Sequence, residues 1–156
     1  MSKMRIRYPL AYNPIIDYYN QIVDGKVVVG WKVRRIYKKL VDDIYDKNSE
    51  YEYNPKRANH AIEFIENYCK HSKGKWAGQP IDLELWQKAY VAAIFGFVHK
   101  IDQTRKYREA LLVVARKNGK STLSAGISLY LMVGDSEGGA EVYAAATKEK
   151  QAKIVW

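Results

Sequence analysis

The sequence predicts an α/β fold in which a helical N-terminal region leads into a β–α–β unit with parallel strands, the sheet being incomplete in this chain. Three observations carry that expectation. Two segments open with Asn-Pro, at Asn13-Pro14 and Asn54-Pro55, and continue with apolar residues at helical spacing. Residues Glu109 to Ala115 form a short, nearly unbroken apolar run, as a strand buried on both faces requires. A helical pattern follows from Lys120, then a second apolar run from Ala140 to Ala146.

The elements can be justified in order. Asn13 caps a helix with Pro14 in its first position, running to about Val23, and Asp24-Gly25 ends it. A longer helix spans Trp31 to Asp46, with Val33, Ile36, Tyr37, Leu40, Val41, Ile44 and Tyr45 as one apolar stripe. Its bases, Lys32, Arg34, Arg35, Lys38 and Lys39, precede its acids, Asp42, Asp43 and Asp46, an order that opposes the helix dipole. Lys47 to Tyr53 reads as a polar linker. From Asn54 a further helix places Ala58, Ala61, Ile62, Ile65, Tyr68 and Cys69 on its apolar side. Lys70 to Pro80, rich in basic residues and glycine, reads as a loop. Asp82 caps a helix from Leu83 to about Phe97, with Leu85, Trp86, Ala89, Tyr90, Ala93, Ile94 and Phe97 inward. His99 to Arg108 connects it to the first strand. The helix from Lys120 to Met132 returns the chain, Gly134 to Gly139 turns it, and a last helix starts at Thr147. A right-handed crossover is expected for such a unit.

Composition narrows the functional classes. With 47% apolar and 28% charged residues in 156, the chain can bury a core and is not of the disordered class. The longest apolar stretch, Ala89 to Val98, is interrupted by Gly96 and too short to span a bilayer, so no membrane association is expected. The start, MSKMRIRYPL, lacks the apolar core of a secretion signal, which makes the cytoplasm the expected location. Cys69 is the single cysteine and excludes an internal disulfide, while His60, His71 and His99 lack zinc-site spacing. The net charge of +9 favours an anionic partner, nucleotide or DNA, or simply marks a solvated basic face.

The chemistry concentrates between the first strand and the helix that follows. Residues Leu111 to Leu123 read LLVVARKNGKSTL. Strand, short loop and Gly-Lys-Ser-Thr at a helix start form the arrangement that cradles nucleotide phosphates. Backbone N–H groups face the anion, Gly119 permits close approach, and Lys120 pairs with the β and γ oxygens. Ser121 would give its hydroxyl to the Mg²⁺ that accompanies the nucleotide, and Thr122 either reaches the α-phosphate or packs in the first turn. The loop departs from G-x-x-x-x-G-K-[ST], because Val114 stands where the first glycine should be. In its place the loop carries Arg116, Lys117 and Asn118, so it is unusually cationic. The plain alternative is a lysine-rich surface turn with a capping serine.

This deviant loop resembles that of the large terminase subunits of tailed bacteriophages, which carry an arginine three residues before the glycine, as Arg116 does. Two further stretches are similar to that family, GQPIDLELWQ from Gly78 to Gln87 and GGAEVYAAATKEKQAKIVW from Gly138 to Trp156. The resemblance implies an ATP- and Mg²⁺-dependent motor that moves double-stranded DNA into a capsid. It further implies the small terminase subunit, the capsid portal and further copies of the chain as partners, in the cytoplasm of a host cell. It also implies Arg116 as a charge-stabilising group acting within its own subunit, and Gln87 near the adenine. A side-chain amide can donate and accept together at the edge of that base. On this reading residues 1–75 are a helical N-terminal region and residues 76–156 the start of a P-loop ATPase domain.

Phosphoryl transfer to water also requires an acid to hold the metal and a carboxylate to orient the water. After Gly119 the acids are Asp135, Glu137, Glu141 and Glu149, and none ends an apolar strand. The expectation is therefore the N-terminal portion of a larger polypeptide. Two other readings stay open: a different P-loop enzyme such as a helicase-like ATPase or kinase, and a non-catalytic interaction domain.

Overall fold

The computed structural model describes residues 7–72, 75–135 and 140–145. Helix α1 spans Pro14–Val23, α2 Trp31–Tyr45, α3 Pro55–Tyr68, α4 Leu85–Gly96 and α5 Lys120–Val133; two short strands, β1 (Tyr51–Tyr53) and β2 (Phe97–His99), complete the order. Both Asn-Pro starts form as the sequence predicts. Asn13 Oδ1 accepts from the N–H groups of Ile15 and Ile16, and Asn54 Oδ1 from those of Lys56 and Arg57. Each cap satisfies donors that the helix itself leaves open.

The core lies where α3 and α4 pack together, with α1 and α5 on either side. Ile15, Ala58, Ala61, Ile62, Ile65, Ala89, Val91 and Ala92 are fully buried there. Alanines on both α3 and α4 let the two backbones approach, and the branched residues fill the remaining volume. Removing each buried isoleucine side chain from water stabilises the fold by roughly 1.5–3 kcal/mol. Helix α4 is buried almost all round, so it has no single inward stripe. Leu85, Trp86, Tyr90, Ala93 and Ile94 are half-buried, while Gln87, Val91 and Phe95 lie deeper.

The sheet differs from the one expected. Strands β1 and β2 pair antiparallel, with Tyr51 opposite His99, Glu52 opposite Val98 and Tyr53 opposite Phe97. They come from segments that read as a polar linker and as the end of a helix. Gly96, at the α4–β2 junction, admits the Tyr53 ring: a Cβ there would lie 2.5 Å from Tyr53 Cε2. Residues 109–115 and 140–145, expected as parallel strands, carry no ladder among the described residues. Leu111, Val113 and Tyr143 are more than four-fifths exposed. Their alternation with half-buried Leu112, Val114, Val142 and Ala144 keeps the two-residue period of extended chain. The helix expected from Thr147 lies outside the described residues.

Three further details correct the sequence reading. Helix α4 starts at Leu85 with Glu84 as its cap, because Gln87 folds back onto the Glu84 N–H, and Asp82 is not the cap. Ile36 and Tyr45 of α2 face solvent, since α2 buries only Tyr37 and Leu40 fully. Tyr68 of α3 is exposed as well, and its stripe continues instead through Glu66.

Candidate functional site

The Leu111–Leu123 segment folds as an exposed loop that turns sharply into α5. Lys117 (φ +69°) and Gly119 (φ +70°) both adopt left-handed backbone, on either side of Asn118. For Gly119 this conformation is free of steric cost, whereas Lys117 carries strain of the kind found at ligand-binding turns. Asn118 Nδ2 donates to Ala115 O at 3.3 Å, and Lys120 Nζ donates to Val114 O at 3.4 Å, closing the turn from both sides.

Gly119 is the N-cap of α5, and its carbonyl accepts the first helical bond, from Leu123 N at 2.9 Å. No side chain caps this end. The N–H groups of the first turn therefore point out of the helix, where its dipole is positive. Arg116, Lys117, Asn118, Lys120 and Ser121 are exposed around them, and Thr122 is half-buried. Leu123, 1% exposed, anchors the turn to the core. One turn further on, a Cβ on Gly126 would meet Ile65 Cγ2 at 3.0 Å, so α5 lies close on α3.

Gln87 is brought to the same place from α4. A Cβ on Gly119 would stand 3.2 Å from Gln87 Nε2. Gln87 Oε1 accepts from the Glu84 N–H at 2.9 Å, which fixes the amide with its nitrogen toward the loop. One lone pair of Oε1 remains. The sequence-predicted residues Gln87, Arg116, Lys117, Asn118, Gly119, Lys120, Ser121 and Thr122 therefore share one end of the α4–α5 pair.

Sequence reasoning missed a second group behind Gln87. The Glu66 side chain is fully buried. Its Oε1 accepts from Leu83 N at 3.0 Å and lies 3.1 Å from Lys88 Nζ, and its Oε2 accepts from the Tyr8 hydroxyl at 2.8 Å. Burial lowers the Lys88 ammonium, but the bonds to Tyr8 and Glu66 outweigh it and raise the group above its ordinary value. Burial, reinforced by Glu66, pushes Tyr8 up to about 12. Glu63 takes the Tyr8 N–H at 2.6 Å, and Asn59 donates to Pro9 O at 3.1 Å. The available signal was Glu66 itself, an acid set in the apolar stripe between Ile62 and Cys69.

Among the described residues no cluster of His, Cys, Asp or Glu has the arrangement of a metal site, and no helix is long and apolar enough to cross a membrane.

The class that these features define is a helix-and-strand protein with an exposed, cationic turn at the N-terminus of a helix. Comparison with known proteins agrees and is more specific. Residues 85–156 match the family described as terminase large subunit, ATPase domain. Over 101 residues the chain is 36% identical to the terminase large subunit of Enterobacteria phage HK97, a stretch that is 64% of this chain and 19% of that protein. The chain thus spans about a fifth of the length of the curated relative it matches. No solved structure matches it. The resemblance to the large terminase subunits is borne out, and the matched region contains both Gln87 and the turn at Gly119.

Proposed function

We propose that this chain contributes the phosphate-binding turn and base contact of a DNA-packaging ATPase. The observation that carries the reading is the meeting of Gln87 with Gly119, because it joins a candidate base contact to a candidate phosphate turn at one helix end. In this reading residues 1–75 form a helical platform and residues 76–156 begin the P-loop ATPase domain. Residues 109–115 and 140–145 take their places in a parallel sheet, which their largely apolar sequence suits once both faces are covered.

The roles follow from charge and position. The first-turn N–H groups of α5, with Gly119, Lys117 and Asn118, surround the phosphates, and Lys120 neutralises the β and γ oxygens. Ser121, exposed in that turn, fits a hydroxyl ligand to Mg²⁺, which would neutralise phosphate charge. Thr122 stands toward the α-phosphate. Arg116 neutralises the negative charge that develops as the bond between the γ- and β-phosphates breaks, its own positive charge being spread over a planar guanidinium. Gln87 donates and accepts at the adenine edge. ATP turnover would drive double-stranded DNA into a capsid, with the small terminase subunit, the portal and further copies of the chain as partners, in the host cytoplasm.

The test is ATP binding measured by titration with a fluorescent ATP analogue, on the wild-type chain and on Lys120→Ala. Lys120 is exposed, so the variant should fold as the parent does while its affinity falls by tenfold or more, about 1.4 kcal/mol. Equal affinity in the two proteins would remove the turn from nucleotide binding.

A further inference from the structure

We propose that Glu66 is a positioning residue for the Gln87–Gly119 contact, and through it for base preference at the site; this rests on the nucleotide reading of Gln87 given above. Among the described residues Glu66 makes no hydrogen bond or ion pair to Gln87 or to the turn. It grips the chain on both sides of Gln87 instead. Its Oε1 holds Leu83 N at 3.0 Å, immediately before Glu84, and Lys88 Nζ at 3.1 Å, immediately after Gln87.

Between these two holds lies the capping box in which Glu84 N donates to Gln87 Oε1 at 2.9 Å. That bond decides which way the amide faces, and the facing decides whether Nε2 meets Gly119. The whole first turn of α4 is therefore referenced to one carboxylate on α3. Tyr8 completes the arrangement by donating to Oε2 at 2.8 Å, so both oxygens of Glu66 are engaged.

A carboxylate with a side chain withdrawn from water is costly and adds little net stability over a well-packed apolar group. What it supplies here is geometry. An apolar residue at position 66 could fill the space but could not hold the Leu83 N–H and the Lys88 ammonium in fixed relation. Glu63 is the internal control. It binds the same N-terminal segment, through Tyr8 N at 2.6 Å, and among the described residues its carboxylate makes no hydrogen bond or ion pair to Leu83 or Lys88.

The experiment compares the full chain with Glu66→Gln, Glu63→Gln, Tyr8→Phe and Gln87→Ala. Two readouts are taken: the ratio of ATP to GTP affinity, and the NMR positions of the Gln87 side-chain amide and the Gly119 backbone amide. Glu66→Gln keeps the shape but sets an NH2 group against one of its donors. It should shift both resonances and change the base ratio roughly three- to tenfold, the worth of one hydrogen bond. Glu63→Gln should move neither, even if it lowers thermal stability. Should Glu66→Gln fail to fold, Tyr8→Phe removes one bond to the same carboxylate and should move both readouts the same way by less.

Unmoved Gln87 and Gly119 resonances in a folded Glu66→Gln or Tyr8→Phe protein would overturn the proposal. A base ratio unchanged by Gln87→Ala, with the resonances still shifted by Glu66→Gln, would instead remove the base role of Gln87 and leave the coupling intact.

Discussion

Gln87 Nε2 and Gly119 occupy adjoining space at the N-terminal ends of α4 and α5, so close that a Cβ on the glycine would approach the amide nitrogen to 3.2 Å. The glycine is constrained twice, by that neighbour and by its left-handed backbone. Gly119→Ala should cost about 1–2 kcal/mol from the backbone alone. It should also push the Gln87 amide aside and weaken ATP binding beyond that loss of stability. Chemical denaturation and ATP titration on the same preparation separate the two effects. A stable variant with wild-type ATP affinity would contradict the assignment.

Arg116 should act late in the reaction. Its proposed contact strengthens only as charge develops, so Arg116→Ala, made in a polypeptide that also supplies the metal-holding and water-orienting acids, should lower ATP turnover far more than ATP affinity. A loss of about 10³-fold would match the role of arginines in other phosphoryl-transfer enzymes. Steady-state kinetics and equilibrium binding decide the matter. An affinity loss with undiminished turnover at saturation would make Arg116 a ground-state phosphate ligand.

Gly96 matters for the fold alone. A methyl group there meets Tyr53 Cε2 at 2.5 Å and the Ala58 Cβ at 3.1 Å, against β1 on one side and α3 on the other. Gly96→Ala should destabilise by about 1–3 kcal/mol, as overpacking does. Urea denaturation measures this, and a midpoint equal to that of the parent would show that the ring moves aside freely.

Acid should loosen the tie between α2 and the segment after β2. Asp43 lies 2.7 Å from Lys106 Nζ and 3.1 Å from Lys39 Nζ. Burial raises its carboxyl, but the two ammonium groups outweigh burial and hold it below the usual carboxylate range. A depressed folded value means the stabilisation is fully present above the unfolded value of about 3.9 and is lost as pH falls through the folded one. Asp43→Asn should therefore be less stable than the parent near neutrality, and the gap should close in strong acid. Denaturation midpoints from about pH 6 to about pH 2 test this; a gap that stays constant would show that the ion pairs contribute nothing.

The legible parts of the fold are those with local causes. Asn13-Pro14 and Asn54-Pro55 state their own helix starts, because a cap and a fixed φ need no distant partner. The turn at Gly119 was equally readable, since its glycine and cations are contiguous. The β1–β2 pairing was not. Tyr51–Tyr53 and Phe97–His99 are three residues each, too short for a periodic signal, and they meet only because α3 and α4 bring them together. Helix α4 misled for the opposite reason: apolar on nearly every side, it offers no stripe to choose. The Glu66 group was hidden because a buried acid looks like any helical acid until its partners, Tyr8, Leu83 and Lys88, arrive from elsewhere in the chain.

That shared carboxylate also limits how the sequence can change. Tyr8, Glu66 and Lys88 lie on three separate segments, yet each is matched to the other two through the same pair of oxygens. Replacing Glu66 or Lys88 singly leaves a buried group without its counterpart, so drift at these positions must be concerted. A chimera joining the N-terminal segment of one relative to α3 and α4 of another inherits a working first turn of α4 only if all three residues travel together.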